Sequence, residues 1–183
     1  MKSFLLFLVT ALLGSSALAS EDIFDALRDG DHVLLLRHAI APGFGDPPAF
    51  DVRDCSTQRN LSEEGREQAR TIGALLRAEG LGDAAVYTSY WCRCRDTARE
   101  MDLTEPQPNP GLNSFFQDRG RRDEIVSELR RLLGELAGGG PAVLVTHQVN
   151  IRAVTGRGVR SGEGVVVRPD ADGSVQVIGA FPP

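Results

Sequence analysis

Hydrophobic positions in this chain fall into distinct kinds of run. Residues 4–13 are apolar apart from Thr10. His32–Leu36, Ala84–Thr88 and Ala142–Val145 are short runs of strand length. They lack polar alternation, as strands buried on both faces do. Between them, apolar residues recur at helical spacing. Ile23, Phe24 and Leu27 form one such set, and Ala69, Ile72, Leu75 and Leu76 a second. Ile125, Leu129, Leu132, Leu133 and Leu136 form a third. The spacing predicts helices over Glu21–Arg28, from Ser62 to Gly80, and over Arg122–Leu136. Gly30 ends the first and Gly138-Gly139-Gly140-Pro141 the third. Arg93–Met101 reads as another helix, ended by the stretch holding Pro106, Pro108 and Pro110. Gly164–Arg168 and Ser174–Ile178 predict a hairpin around Asp172-Gly173. Ala39–Asn60 is rich in Gly, Pro and Asp and reads as a long loop. Loops of that length in a small domain are usually functional. Strands alternating with helices predict a three-layer α/β/α sandwich around a mostly parallel sheet. No internal repeat is visible.

The opening apolar run belongs to a different pattern. Lys2 precedes it, and small residues follow as far as Ala17-Leu18-Ala19. A positive start, an apolar middle and an A-x-A end describe a secretory signal peptide. Residues 1–19 are therefore expected to be a leader cleaved after Ala19, and 20–183 a single domain in the periplasm or outside the cell. The run is too short for a stable membrane anchor. A buried N-terminal helix is the other reading.

Composition narrows the partners. The chain has 183 residues, 42% hydrophobic and 25% charged, a balance for one globular domain. Its net charge of −5 argues against nucleic acid as a partner. Lys2 is the only lysine. Any anion held by the mature chain would thus be held by arginine, whose planar fork of donors matches phosphate and carboxylate oxygens.

Export changes the meaning of the three cysteines. In an oxidising compartment Cys55 would pair with Cys92 or with Cys94, since Cys92 and Cys94 stand too close to pair easily with each other. Three free thiols are one alternative. A zinc site is another, but it would have to recruit from only three histidines. No metal or other cofactor is expected.

The chemistry collects where strands end. Leu34-Leu35-Leu36 runs into Arg37-His38, Val86-Tyr87-Thr88-Ser89 leads to Arg93, and Val143-Leu144-Val145 runs into Thr146-His147. Open α/β sheets bind ligands just beyond the carboxyl ends of their strands. The fold would therefore gather two arginines and two histidines into a cationic pocket suited to a tetrahedral dianion such as phosphate. A histidine fixed straight after a buried strand can act as a covalent nucleophile. The arginines would serve as electrostatic clamps.

These segments resemble one family. Leu36-Arg37-His38-Ala39 looks like the L-R-H-[GA] motif of the histidine phosphatase superfamily. Asn60-Leu61-Ser62-Glu63-Glu64-Gly65-Arg66-Glu67-Gln68-Ala69 resembles its L-[ST]-x-x-G-x-x-Q-A helix start. Ser89-Tyr90-Trp91-Cys92-Arg93-Cys94-Arg95-Asp96-Thr97-Ala98 is similar to its S-x-x-x-R-x-x-x-T-A segment, and Val145-Thr146-His147 to its V-[TS]-H motif. The four occur in order between Val33 and Asn150. The branch resembled holds phosphoglycerate mutases and small phosphatases. Within it the chain looks most like short exported bacterial members, including lipopolysaccharide core heptose phosphatases.

The resemblance implies a metal-independent phosphatase working through a phosphohistidine. His38 would attack phosphorus in a phosphomonoester, and Arg37, Arg93 and His147 would hold its oxygens. Arg59 is a further candidate for phosphate contact. Relatives that cleave small esters often carry an acid in mid-chain to protonate the leaving group. Asp118, in the segment from Leu112, is the nearest candidate here. Gln148 follows His147 where many relatives have glycine or glutamate. It either reads substrate or caps the next helix. Phe115 and Phe116 could line a pocket, though an aromatic pair of this kind is more often core, and the core is the expectation here. Three other readings compete. The first is a non-catalytic phosphate-binding or envelope-interaction module on the same fold. The second is a serine hydrolase, for which Ser89 and Ser114 lack a G-x-S-x-G elbow. The third is a mutase, for which the chain is short.

Overall fold

The computed structural model describes residues 18–182. The expected leader lies outside them except for Leu18 and Ala19, which open the first helix. The three apolar runs become the parallel heart of a six-stranded sheet. Strand β4 (Ala142–Thr146) lies between β1 (Val33–Arg37) and β2 (Ala85–Thr88). β3 (Gln107–Pro108) extends the sheet beyond β2. On the other side, β5 (Gly164–Pro169) and β6 (Val175–Phe181) form the predicted hairpin, with β5 paired antiparallel to β1. The order is β3-β2-β4-β1-β5-β6. Four parallel strands and an antiparallel edge pair make the sheet mostly parallel, as expected. β3 is two residues within a proline-rich stretch. It has no apolar run to announce it.

Side chains leave the two faces of the sheet in alternation. Leu34 and Leu36 of β1, Val86 of β2, and Val143 and Val145 of β4 pack on one face. They meet α1 (Leu18–Arg28), α2 (Glu63–Ala78) and α3 (Cys92–Glu100) through Phe24, Leu27, Ile72, Leu76 and Ala98, with Met101 just past α3. Val33, Leu35, Leu144, Val165 and Val167 pack on the other. They meet α4 (Arg122–Leu136) and α5 (Gln148–Thr155) through Leu129, Leu132, Leu133 and Ile151. The result is the three-layer sandwich. Among the described residues no helix is long and apolar enough to cross a membrane.

Helix α2 starts where the sequence places it. The Ser62 hydroxyl accepts the Gly65 N–H at 3.1 Å, a standard N-cap. Two of its glycines touch neighbouring backbone. A Cβ on Gly65 would stand 2.0 Å from the Ile40 carbonyl oxygen, and one on Gly73 would stand 1.8 Å from that of Met101. Helix α5 has eight residues and ends at Gly156, whose φ of 72° is open to glycine at little cost.

Candidate active site

β1 and β4 run in parallel with Arg37 opposite Thr146. The next residue of each strand is a histidine, so the register sets His38 beside His147. The His38 N–H donates to the Thr146 carbonyl at 3.0 Å, and the two rings lie 5.5 Å apart, centroid to centroid. The end of β2 adds Ser89, whose N–H donates to Val145. Arg93 follows in the first turn of α3. Arg37, His38, Arg93 and His147 line one cleft of ≈ 560 Å³ at the carboxyl edge of the sheet.

His38 is held at both ring and backbone. Nδ1 lies 2.8 Å from the carbonyl oxygen of Ala39. A carbonyl can only accept, so Nδ1 carries the hydrogen and Nε2 keeps its lone pair. Burial and the nearby Arg93 charge push the His38 pKa well below its ordinary value, so the ring is neutral. The Thr97 hydroxyl accepts the Ala39 N–H at 3.0 Å and donates to the Arg93 carbonyl at 2.7 Å. One hydroxyl thus ties the histidine's neighbour to the helix that carries the arginine.

His147 is also buried, and burial with the charge of Arg93 keeps it neutral. Its Nε2 lies 3.0 Å from Ser89 Oγ and 3.5 Å from Cys94 Sγ. Asn113 Oδ1 accepts from the Ser89 hydroxyl at 3.3 Å and the Tyr90 N–H at 2.9 Å. With Nε2 engaged, Nδ1 is the ring nitrogen left for a ligand. Cys94 is the free cysteine, and burial pushes its thiol pKa up to about 12.

Arg93 is aimed by a carboxylate that sequence reasoning missed. Asp46 Oδ1 accepts from Arg93 Nη1 at 2.7 Å, and Oδ2 accepts from Nη2 at 3.2 Å. Asp46 also accepts from Trp91 Nε1 and from the Arg59 N–H, both at 3.0 Å. Burial raises its pKa, but hydrogen bonds from Arg93 and the Arg93 charge outweigh that and hold it below the ordinary carboxylate range. Gln117 grips the Asp46 backbone from both sides, accepting its N–H at 2.7 Å and donating to its carbonyl at 3.0 Å. A guanidinium has five donors. Asp46 and the Arg59 carbonyl take three of those on Arg93. Its buried Nε has no partner among the described residues, and neither has that of Arg37.

Arg59 joins this cluster in the cleft. Its guanidinium is largely committed to the loop, donating from Nε to Gly45 O at 3.0 Å and from Nη1 to the Ala41 carbonyl. Burial and the Arg93 charge lower the pKa of both Arg37 and Arg59. Like charges are thus held together in a half-buried space. An anion relieves that repulsion.

Asp118 is not gathered in. It is exposed and precedes the short turn Arg119–Arg121, and it is not among the residues lining the cleft. No described lining residue is an Asp or Glu. Phe115 is buried as expected, and both it and Phe116 line the cleft, which is the alternative that the core expectation had set aside. Gln148 lines the cleft from the start of α5. Cys55 and Cys92 form a disulfide, which leaves the zinc alternative without two of its ligands.

Fold and site together define a class: a three-layer α/β protein with a buried histidine pair among arginines at its strand ends. Residues 33–116 match the histidine phosphatase superfamily (branch 1). The match spans the segment that holds Arg37, His38 and Arg93, and it supports the superfamily for this chain. No curated protein matches the whole sequence at a significant level. Solved structures share the fold. The protein histidine phosphatase SixA, complexed with tungstate, aligns with a TM-score of 0.59 at 20% identity, covering 83% of this chain and 97% of its own. A mycobacterial glucosyl-3-phosphoglycerate phosphatase gives 0.57 at 17%, covering 80% and 96%. A phosphoserine phosphatase from Entamoeba histolytica, in complex with 3-phosphoglyceric acid, gives 0.58 at 12%, covering 83% and 97%.

Proposed function

We propose that this protein is an exported phosphatase that hydrolyses a phosphomonoester through a phosphohistidine on His38. The observation that carries the reading is the His38 ring: neutral, with Nδ1–H tied to Ala39 and Nε2 free beside Arg37 and Arg93. The Nε2 lone pair forms a bond to phosphorus as the bond to the leaving oxygen breaks. That oxygen departs with the electron pair and takes a proton from solvent. Water then attacks phosphorus, the N–P bond breaks back to Nε2, and phosphate leaves. Arg37 and Arg93 hold the non-bridging oxygens, and His147 Nδ1 joins them once the bound dianion draws a second proton onto that ring, whose Nε2–H is already given to Ser89 Oγ; positioning and charge neutralisation supply most of the catalysis.

Fixed guanidinium groups provide the positive charge, so turnover should survive EDTA. Among the described residues the cleft offers no carboxylic acid to the leaving group, which favours aryl phosphates, acyl phosphates and phosphoramidates over simple alkyl esters. Relatives named as phosphatases of protein histidine, glucosyl-3-phosphoglycerate and phosphoserine support the reaction class. The leader would place the enzyme in the periplasm or outside the cell, which favours a substrate of the cell envelope.

The test is hydrolysis of phenyl phosphate by residues 20–183 in EDTA, beside a His38→Ala control. Turnover should persist in EDTA and vanish in the variant, and acid-labile phosphate should be trapped on the wild type alone. Full activity in the variant would falsify the assignment.

A further inference from the structure

The disulfide stands against the residues that hold Arg93. Cys92 is the first residue of α3 and immediately precedes Arg93. Cys55 opens a short turn, Cys55–Thr57, in the long loop. The residues after that turn grip the same place. Gln58 Oε1 accepts the Cys92 N–H at 3.0 Å, and Gln58 Nε2 donates to Cys92 Sγ at 3.3 Å. One residue on, the Arg59 carbonyl accepts from Arg93 Nη1 at 3.3 Å, and the Arg59 N–H donates to Asp46. Asn60 Nδ2 donates back to the Cys55 carbonyl at 2.6 Å. Residues 55–60 thus form one hydrogen-bonded unit. The bridge is its covalent tie to the helix that carries Arg93.

The two bridged residues are unequal. Cys55 is exposed, whereas Cys92 is 1% exposed. A thiolate arriving from solvent therefore meets Cys55, and Cys92 is the sulfur that leaves. A negative charge on Cys92 would stand on the first residue of a nine-residue helix, with the Gln58 amide as its donor. Both features favour departure. Cys94 does not compete for either sulfur. It is buried, and burial pushes its thiol pKa up to about 12, so it stays protonated.

We propose that the Cys55–Cys92 bridge is a thiol–disulfide exchange site for a dithiol, and that its reduction loosens the grip of Arg93 on phosphate. The inference rests on the phosphate site proposed at His38 and adds a control on its affinity. One thiolate of the dithiol attacks Cys55 Sγ. The S–S bond breaks, its electron pair passes to Cys92 Sγ, and that sulfur takes up a proton. The second thiol of the dithiol, deprotonated, attacks its own partner sulfur in the mixed disulfide, and Cys55 leaves and is protonated. The dithiol ends as a disulfide and the protein gains two thiols. Residues 55–60 are then held to α3 by hydrogen bonds alone, so Asp46 and Arg59 no longer fix the aim of Arg93. His38 lies off this path. Its N–H is tied to Thr146, and the Ala39 N–H is tied to Thr97.

The test treats the oxidised, folded protein with dithiothreitol below its melting temperature. Free thiols are counted in denaturant after an acid quench, phosphate affinity is measured by calorimetry, and phenyl phosphate turnover is followed in parallel. The count should rise from one to three while circular dichroism stays unchanged. Phosphate affinity should fall about tenfold, less than the roughly hundredfold cost of losing an entire anion-holding donor. KM should rise with it, and reoxidation should restore both. A Cys55→Ser/Cys92→Ser variant should show the weaker affinity in either buffer, and Cys94→Ser should keep the response to dithiothreitol. A bridge that opens only in urea overturns the exchange site. Equal phosphate affinity in the oxidised and reduced folded protein leaves the bridge a staple and overturns the link to Arg93. Redox-dependent phosphate affinity without turnover overturns the phosphatase reading and supports the exchange site. Absence of both phosphate binding and turnover overturns the two together.

Discussion

Asp46→Ala probes the site at its most buried ion pair. The Asp46 side chain is 2% exposed, that of Arg93 4%. Its carboxylate takes four hydrogen bonds, two from Arg93 and one each from Trp91 and Arg59. Removing one partner of a buried pair costs about 3–5 kcal/mol, because the other charge is left uncompensated. A domain of this kind has about 5–15 kcal/mol in all. The variant should therefore fold but unfold at clearly lower urea. Phosphate should then do more for the variant than for the wild type, since it supplies the counter-charge that Arg93 has lost. A ligand at a hundred times its Kd stabilises by about 2.7 kcal/mol. The assay is urea unfolding with and without phosphate, for wild type, Asp46→Ala and Asp46→Asn. Asparagine preserves the volume and isolates the charge. A loss below about 1 kcal/mol, or an equal gain from phosphate in all three proteins, would refute the claim that Asp46 balances Arg93.

Other expectations follow from the same contacts. The pKa values of His38 and His147 are lowered by folding. The unfolded chain therefore binds protons near pH 6.5 that the native state refuses, and stability should fall as pH drops below that value. The slope approaches about 1.4 kcal/mol per pH unit for each histidine, and chemical denaturation from pH 7 to 5 should show it. A His38→Gln/His147→Gln variant should flatten the profile; an unchanged slope would remove these histidines as its cause. Cys55→Ala/Cys92→Ala should cost about 4 kcal/mol for a loop closed over a separation of 37 residues. Equal melting temperatures with and without dithiothreitol would show that the bridge contributes nothing. Thr97→Val should cost about 1–3 kcal/mol by leaving the Ala39 N–H unpaired in the interior. Its His38-dependent turnover should fall further than the stability loss alone explains, and a purely thermodynamic loss would leave Thr97 a packing residue.

Sequence and structure agree where chemistry sits next to regular structure. Arg37-His38 and Thr146-His147 follow continuous apolar runs, and parallel strands of similar length bring their ends to one edge. Asp46 could not be read that way. It lies among Gly43, Gly45, Pro47 and Pro48, in a segment without periodicity, and its partner Arg93 is 47 residues away. The one local signal was the length of the loop itself. Ser89 and Thr97 were visible within a motif, but their hydrogen bonds to His147 and Ala39 depend on how β2, α3 and β4 pack. Asp118 was singled out by nearness in sequence alone. A turn before α4 leaves it exposed, while its neighbours Gln117 and Arg119 line the cleft. Helix α5 was barely legible because eight residues carry only two that are buried, Asn150 and Ile151.

The two backbone contacts of α2 bear on how this chain can vary. Gly65 and Gly73 are eight positions apart, so the helix is seated at two points about 12 Å from each other. One seat is the carbonyl of Ile40, two residues past His38, and the other is the carbonyl of Met101, just beyond α3. Neither seat has room for a methyl group. Drift at these two positions is closed, even to alanine, although alanine is the better helix former. The exposed positions Glu64, Glu67, Thr71 and Ala74 carry no such constraint. A library randomised along α2 should thus return two frozen columns among freely changing ones, and those columns would mark where the helix meets the segment after His38 and the end of α3, without containing any residue that lines the cleft.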